Sequence, residues 1–192
     1  MVYKEVLGLT ATIVAFASYV PYFRDIFSGK TKPHAFSWLV FGIITLIGFI
    51  GQLYGNAGPG AWVTGFSGLI CFIIFYFALK KGEKNIVLLD WVSLVGAFIA
   101  ILFWVFTKDP LLSVVLITLI SILGFFPTIR KSYMKPNQET LVSYTLSGLK
   151  FVLSLFALNS FSIITALYPI SIIILNWSFV VMLTLRRNQL GR

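Results

Sequence analysis

Seven apolar runs, each near the ~20 residues an α-helix needs to cross a hydrocarbon core, decide what this chain can fold into. They cover residues 5–26, 34–54, 59–79, 86–106, 110–130, 139–158 and 161–185. The breaks between them are as telling. Gly55-Asn56-Ala57-Gly58-Pro59-Gly60 and Lys108-Asp109-Pro110 cannot continue a helix. Asn159-Ser160 is a minimal turn, so the sixth and seventh helices are expected to form a tight antiparallel pair. A soluble globule is excluded, because 58% of residues are apolar and 11% charged, against about 50% and about 25% in soluble domains. The expected fold class is an all-α membrane protein with seven transmembrane helices.

The net charge of +9 does not point to nucleic acid, because the basic residues lie between apolar runs rather than on a soluble face. One side of the membrane receives Arg24, Lys30, Lys32, Lys80, Lys81, Lys84, Arg130, Lys131, Lys135, Arg186, Arg187 and Arg192. The other receives Lys4 and Lys108. Cytoplasmic loops collect Lys and Arg, so the N-terminus is expected outside and the C-terminus in the cytoplasm, in a multi-pass plasma-membrane protein of a prokaryote. The first run could pass for a signal peptide with Ala15-Phe16-Ala17 as its cleavage site. Residues just beyond it have counterparts deep in the chain, which argues against removal. The single cysteine, Cys71, lies inside an apolar run and reads as a small packing residue.

Those counterparts form an internal repeat. At an offset of 106, Pro21 meets Pro127, Arg24 meets Arg130, Ser37 meets Ser143 and Gly42 meets Gly148. Phe27 meets Tyr133, Trp38 meets Tyr144, and Lys80-Lys81 falls on Arg186-Arg187. The repeated unit is therefore three helices with a basic loop after the first. Three crossings invert direction; one extra span between the copies restores it. The expected organisation is a first repeat at 1–84, a linker helix at 85–109 and a second repeat at 110–192, related by an axis along the membrane normal.

This layout resembles the SWEET and PQ-loop transporter superfamily. The resemblance spans nearly the whole chain, with local support from Ser18-Tyr19-Val20-Pro21-Tyr22-Phe23-Arg24, Lys30-Thr31-Lys32 and Phe126-Pro127-Thr128-Ile129-Arg130-Lys131. The PQ dipeptide is absent, since Tyr22 follows Pro21 and Thr128 follows Pro127. Sugar-carrying members also tend to have prolines within the second and sixth helices and asparagines in both the third and seventh. Here Pro33 and Pro136 precede the helices, and only Asn176 matches, its offset partner being Ile70. The resemblance implies a parallel-repeat carrier and leaves the substrate class open.

Lys150 is the leading site residue. It lies mid-span, too deep for its stem to reach either surface, and an ionisable group there is by default functional. Ser143, Ser147, Lys150 and Ser154 are spaced by four, three and four, which puts them on one helical face. Either Lys150 bonds carbonyls or hydroxyls and locks helices together, or this face lines a polar pathway. With no carboxylate at its level, the lysine must be neutral, solvated by cavity water or paired with a bound anion.

Asn176 is expected either to bond a polar ligand or to join helices. Trp38, Gly42 and Thr45 mirror Tyr144, Gly148 and Phe151, and the two leading aromatics either stack on a ligand or belong to the interfacial belt. Gly60, Thr64, Ser67 and Cys71 form a small-residue stripe that reads as close packing. Pro21 and Pro127 weaken equivalent turns and are expected to act as paired hinges. Asp90 reads as an interfacial acid, Glu139 as a residue of the cytoplasmic mouth and His34 as a solvated loop residue. The candidate substrate-binding set is thus Lys150, Asn176, Ser147, Ser154, Tyr144 and Trp38, with Pro21 and Pro127 as hinges.

No His, Cys, Asp or Glu cluster suits a metal site or an activated nucleophile, so no enzyme activity, metal or cofactor is expected. The sequence points to a carrier of a small polar solute, such as a sugar, amino acid or organic anion, by alternating access and facilitated diffusion. Alternatives are a ligand-binding receptor of the KDEL-receptor kind and a retinal-type chromoprotein using Lys150. Expected partners are a small-molecule solute and membrane lipid; homo-oligomerisation is open.

Overall fold

The structure, a computed structural model, describes residues 2–83 and 87–190, with 89, 90, 93, 97, 100 and 104 described as backbone only. Lys84 and Arg192, counted among the basic residues, and the first residue of the fourth run lie outside these limits, as does the side chain of Asp90.

Among the described residues there are seven α-helices and no strand: α1 Val2–Phe27, α2 Ala35–Tyr54, α3 Trp62–Lys81, α4 Leu88–Thr107, α5 Pro110–Met134, α6 Leu141–Phe156 and α7 Ile163–Leu190. Five spans, Val2–Phe27, Ala35–Tyr54, Gly58–Lys81, Pro110–Met134 and Ile163–Leu190, are long and apolar enough to cross a membrane. The chain is a helical, multi-pass membrane protein by that criterion. Their outward faces carry exposed Leu9, Ile13, Phe16, Leu69, Ile73 and Leu119, as contact with lipid requires.

Local chemistry sets the helix ends. The Asp109 carboxylate accepts from the backbone N–H of Leu111 at 2.8 Å and Leu112 at 3.3 Å, and Pro110 occupies the first turn of α5, where its missing N–H costs nothing. After α2 the chain reverses through Asn56 and Gly58 at φ 56° and 60°. A β-carbon on Gly58 would stand 2.1 Å from the Asn159 amide nitrogen, so this turn needs glycine for both torsion and space. Gly60 then lets a short 3₁₀ turn, Gly58–Ala61, press against α6, since a β-carbon there would sit 2.9 Å from the Ser154 carbonyl oxygen.

α1 packs on α3 and α6, α2 on α3 and α5, α5 on α7, and α6 on α7, while α4 lies against α5 and touches α2. The interior splits by level. Toward the end carrying residues 27–35 and 135–140, here the basic end, Tyr19, Tyr22, Trp38, Phe125, Tyr144 and Phe179 form an aromatic cluster. Toward the middle, Val40, Ile44, Ile47, Val114, Ile117, Ile120 and Tyr168 form an aliphatic one.

Candidate functional site

Lys150 sits at the tenth position of α6, and α6 leans on α1, so its amine meets the α1 face. The side chain is 1% exposed. Nζ donates to the Tyr19 hydroxyl at 2.9 Å and to Ser67 Oγ at 3.0 Å, and stands 4.2 Å from the centre of the Tyr19 ring and 5.3 Å from that of Phe151. Both hydrogen-bond partners are neutral. No carboxylate among the described residues pairs with it.

The amine borders a cavity of about 70 Å³. That is room for a few water molecules. Lys150, Ser147, Tyr144, Asn176 and Trp38, five of the six expected binding residues, line it together. Tyr19, Ser67, Cys71, Phe125, Phe151 and Tyr168 are also part of the wall. Asn176 donates from Nδ2 to the Ile172 carbonyl of its own helix at 2.8 Å, leaving its carbonyl oxygen for another partner. Helical spacing alone assigns the small-residue stripe of α3 to packing; Ser67 and Cys71 instead form part of this wall, because α3 packs against α1 beside the lysine.

Ser154, the sixth expected residue, is elsewhere. It shares the helical face of Lys150 but lies one turn nearer the far end, where Oγ donates to the Gly60 carbonyl at 2.9 Å. It fastens α6 to the 3₁₀ turn. Pro21 and Pro127 lie inside α1 and α5, and both helices continue through them.

A second polar centre closes the basic end. Lys131, at the end of α5, and Glu139, before α6, form a buried ion pair with side chains 3% and 0% exposed. Lys131 Nζ also donates to the Lys32 carbonyl at 2.6 Å and the Gln138 carbonyl at 3.4 Å. The other carboxylate oxygen of Glu139 accepts from Tyr144 at 3.1 Å and Tyr22 at 3.3 Å, and Trp38 Nε1 donates to the Tyr22 hydroxyl at 3.2 Å. A parallel arrangement starts from α1. Asp25, 4% exposed, accepts from Thr140 Oγ1 at 2.9 Å, and Thr140 shares a 2.7 Å hydrogen bond with Thr31. Arg24 pairs with Asp25 at 3.0 Å from the surface side. Arg187 of α7 clamps the loop before α6, donating to the Pro136 carbonyl at 3.0 Å and the Glu139 carbonyl at 2.6 Å. The backbone N–H of Lys32 donates to the Gln138 carbonyl at 3.3 Å, so the two basic loops are also joined through their main chains.

His34 belongs to this buried layer, 1% exposed and edge-on to the Phe36 ring at 6.1 Å, and is not a solvated loop residue. The main chain before it is held on two sides, Lys32 N–H donating to the Gln138 carbonyl at 3.3 Å and Glu83 N–H to the Pro33 carbonyl at 3.0 Å, which keeps this stretch packed down.

Sequence reasoning misses this plug. It places Glu139 only at a mouth and Lys131 only among the basic loop residues. One signal in the sequence could have exposed it: Asp25 and Lys131 occupy the same repeat position with opposite charge. Trp38 and Tyr144 belong to both centres, lining the cavity and holding the plug.

The far end is joined more modestly. Lys4 Nζ donates to the Leu158 carbonyl at 2.8 Å, Asn159 N–H to the Ala57 carbonyl at 3.0 Å, and Gln52 Nε2 to the Thr165 carbonyl at 3.1 Å. Comparison with protein-family models, characterised proteins and solved structures gave no match for this chain.

Proposed function

We propose that this chain carries a small polar solute across a membrane by alternating access between two three-helix bundles, α1–α3 and α5–α7, joined by α4, in the manner of the SWEET and PQ-loop superfamily it resembles. The carrying observation is the stacking of two polar centres along one seam: a cavity walled by both bundles and, directly below it, a plug built from both. Exchanging α1 with α5, α2 with α6 and α3 with α7 maps the pairings among these six helices onto themselves, which supports a parallel repeat; α4 alone breaks the symmetry, lying against α5 and α2. The exchange also carries Asp25 onto Lys131, each reaching the loop that precedes a helix of the other bundle.

In this reading all seven helices cross the membrane and the basic end faces the cytoplasm. α6 needs only its own 16 residues and the loop at each end to do so. Rocking the bundles about Pro21 and Pro127 parts Lys131 from the Lys32 carbonyl, Tyr22 from Glu139 and Asp25 from Thr140, which opens the cavity to the basic side and admits water to the Lys131–Glu139 pair. The buried hydroxyls of Ser37 and Ser143, equivalent in the repeat, have no hydrogen-bond partner among the described residues, so they are available to a second arrangement. The partners of Lys150 are hydroxyls, whereas a retinal Schiff base calls for a carboxylate counter-ion, which favours the carrier over the chromoprotein.

The test is a reversible lock. Cysteines at Lys32 and Gln138, whose backbones are hydrogen-bonded at 3.3 Å, lie within disulfide reach. In proteoliposomes, oxidation of Lys32→Cys/Gln138→Cys should stop counterflow of a solute chosen by thermal-shift screening, and reduction should restore it. Undiminished flux through the oxidised protein overturns the proposal.

A further inference from the structure

We infer that the cavity beside Lys150 binds a short monocarboxylate bearing a hydroxyl group, a 2-hydroxy acid being the simplest such molecule. The inference deepens the carrier reading and rests on it for the claim that the bound molecule is cargo.

Charge comes first. Among the residues that line the cavity, Lys150 is the only Lys, Arg, His, Asp or Glu, and the others are neutral alcohols, phenols, a thiol, an amide and apolar groups. The other buried ions described near the seam are matched locally, Lys131 with Glu139 and Asp25 with Arg24. An ammonium in a low-dielectric wall without a counter-ion is costly. One negative charge brought by a ligand neutralises the site; a second would leave a new uncompensated charge. A zwitterionic amino acid brings its own ammonium and leaves the total unchanged. A neutral sugar does not neutralise the lysine either.

Hydrogen-bonding capacity narrows the class further. A lysine ammonium has three donors, and two are taken by Tyr19 and Ser67. The third has no partner among the described residues, and neither does the hydroxyl of Ser147, on the same face and lining the same cavity. Both can donate to a carboxylate. Across the cavity wall Asn176 uses one of its two amide N–H groups on the Ile172 carbonyl, and its side-chain carbonyl is an acceptor with no partner among the described residues. It calls for a donor on the ligand, which a hydroxyl supplies and a plain fatty acid does not. The small volume, about 70 Å³, holds the ligand to a few heavy atoms, with the surrounding rings of Trp38, Tyr144 and Phe151 packing on its carbon skeleton.

The test compares lactate, its neutral amide and alanine on the purified full-length chain in lipid nanodiscs, by tryptophan fluorescence, since Trp38 lines the cavity, and by thermal shift. Lactate should quench saturably and bind at least ~10-fold more tightly than the amide or alanine, the factor worth about one lost charged contact. Lys150→Gln should abolish that preference, and Asn176→Leu should reduce lactate binding while leaving propionate unaffected. Because the carboxylate-to-amide comparison uses the parent protein, it stands even if a variant fails to fold. Equal binding of lactate and its amide, or no binding of either, overturns the inference. Saturable lactate binding without uptake into proteoliposomes overturns the carrier reading alone, and lockable uptake of a neutral sugar without lactate binding overturns this one alone.

Discussion

Replacing Glu139 by glutamine removes one negative charge from a place where water cannot replace it. Both side chains of the pair with Lys131 are essentially inaccessible, and breaking a buried pair by deleting one partner costs about 3–5 kcal/mol. The lower end applies here. Lys131 keeps the carbonyls of Lys32 and Gln138, and the side-chain oxygen of the introduced glutamine can still accept from Tyr22 and Tyr144. In the carrier reading, opening admits water to Lys131, so a penalty of about 3 kcal/mol falls on the closed plug and raises the fraction open at the basic end roughly a hundredfold. Cys71 reports that fraction, being the only cysteine in the chain, 5% exposed and part of the cavity wall. A charged methanethiosulfonate added on the basic side should modify it roughly a hundredfold faster in Glu139→Gln than in the parent, because modification proceeds through the open state. From the opposite side the rate should not change, which separates opening from general unfolding. Adding Lys131→Met should bring labelling back toward the parent rate, since no lone charge then remains buried. An unchanged rate in Glu139→Gln would refute the idea that burial of this ion pair is tied to closure of the basic end.

Thr140→Val should raise basic-side labelling of Cys71 less, by roughly tenfold, because it leaves one acceptor of the Asp25 carboxylate without its donor rather than an unpaired ion. Tyr144→Phe removes one hydrogen bond to the Glu139 carboxylate, worth about 1.5–3 kcal/mol, and should speed labelling by at least ~10-fold while the retained ring keeps ligand affinity near the parent value. Ser154→Ala should lower the thermal midpoint, at a cost of about 1 kcal/mol for the lost bond to Gly60, and leave lactate binding untouched, because Ser154 is off the cavity. Pro21→Ala restores a backbone donor within α1; it should raise the thermal midpoint and slow solute counterflow, with a stopped-flow uptake assay reading the second effect.

The helices are legible in the sequence because hydropathy at this scale overrides local preference, yet their ends are not. α5 runs on to Met134 and α7 to Leu190, past the expected limits at 130 and 185, since a helix continues through Arg130, Lys131, Arg186 and Arg187 after the hydrophobic signal stops. Lys150 is legible for the opposite reason: a charge in the middle of an apolar run has nowhere to hide. Lys131 sits at the edge of its run among Arg130 and Lys135, and composition cannot say which of three neighbouring cations turns inward. What turns it is tertiary, the loop carrying Glu139 folding back over the end of α5. The serine stripe fails in the same way. Helical spacing puts Ser147 and Ser154 on one face, but only the approach of the Gly58–Ala61 turn decides that Ser154 meets backbone while Ser147 meets the cavity.

Two rings connect the parts of the seam that sequence reading keeps separate. Trp38 and Tyr144 face the cavity with their apolar surfaces and hold the plug with their polar ends, Trp38 through Tyr22 and Tyr144 directly. Their rings pack on Tyr22, at 5.1 Å and 6.2 Å between centroids. A ligand that presses on either ring must therefore act on the hydrogen bonds of Glu139. A ligand too small or too polar to reach the rings leaves those bonds intact. In the proposed carrier, the bonds that cross the seam from this centre, Tyr22 to Glu139 and Lys131 to the Lys32 carbonyl, oppose opening of the empty protein, and contact between ligand and rings supplies the differential interaction without which no ligand can shift such an equilibrium. In a carrier that arrangement limits leak and ties opening to occupancy, with Lys150 supplying the charge that keeps the occupant in place.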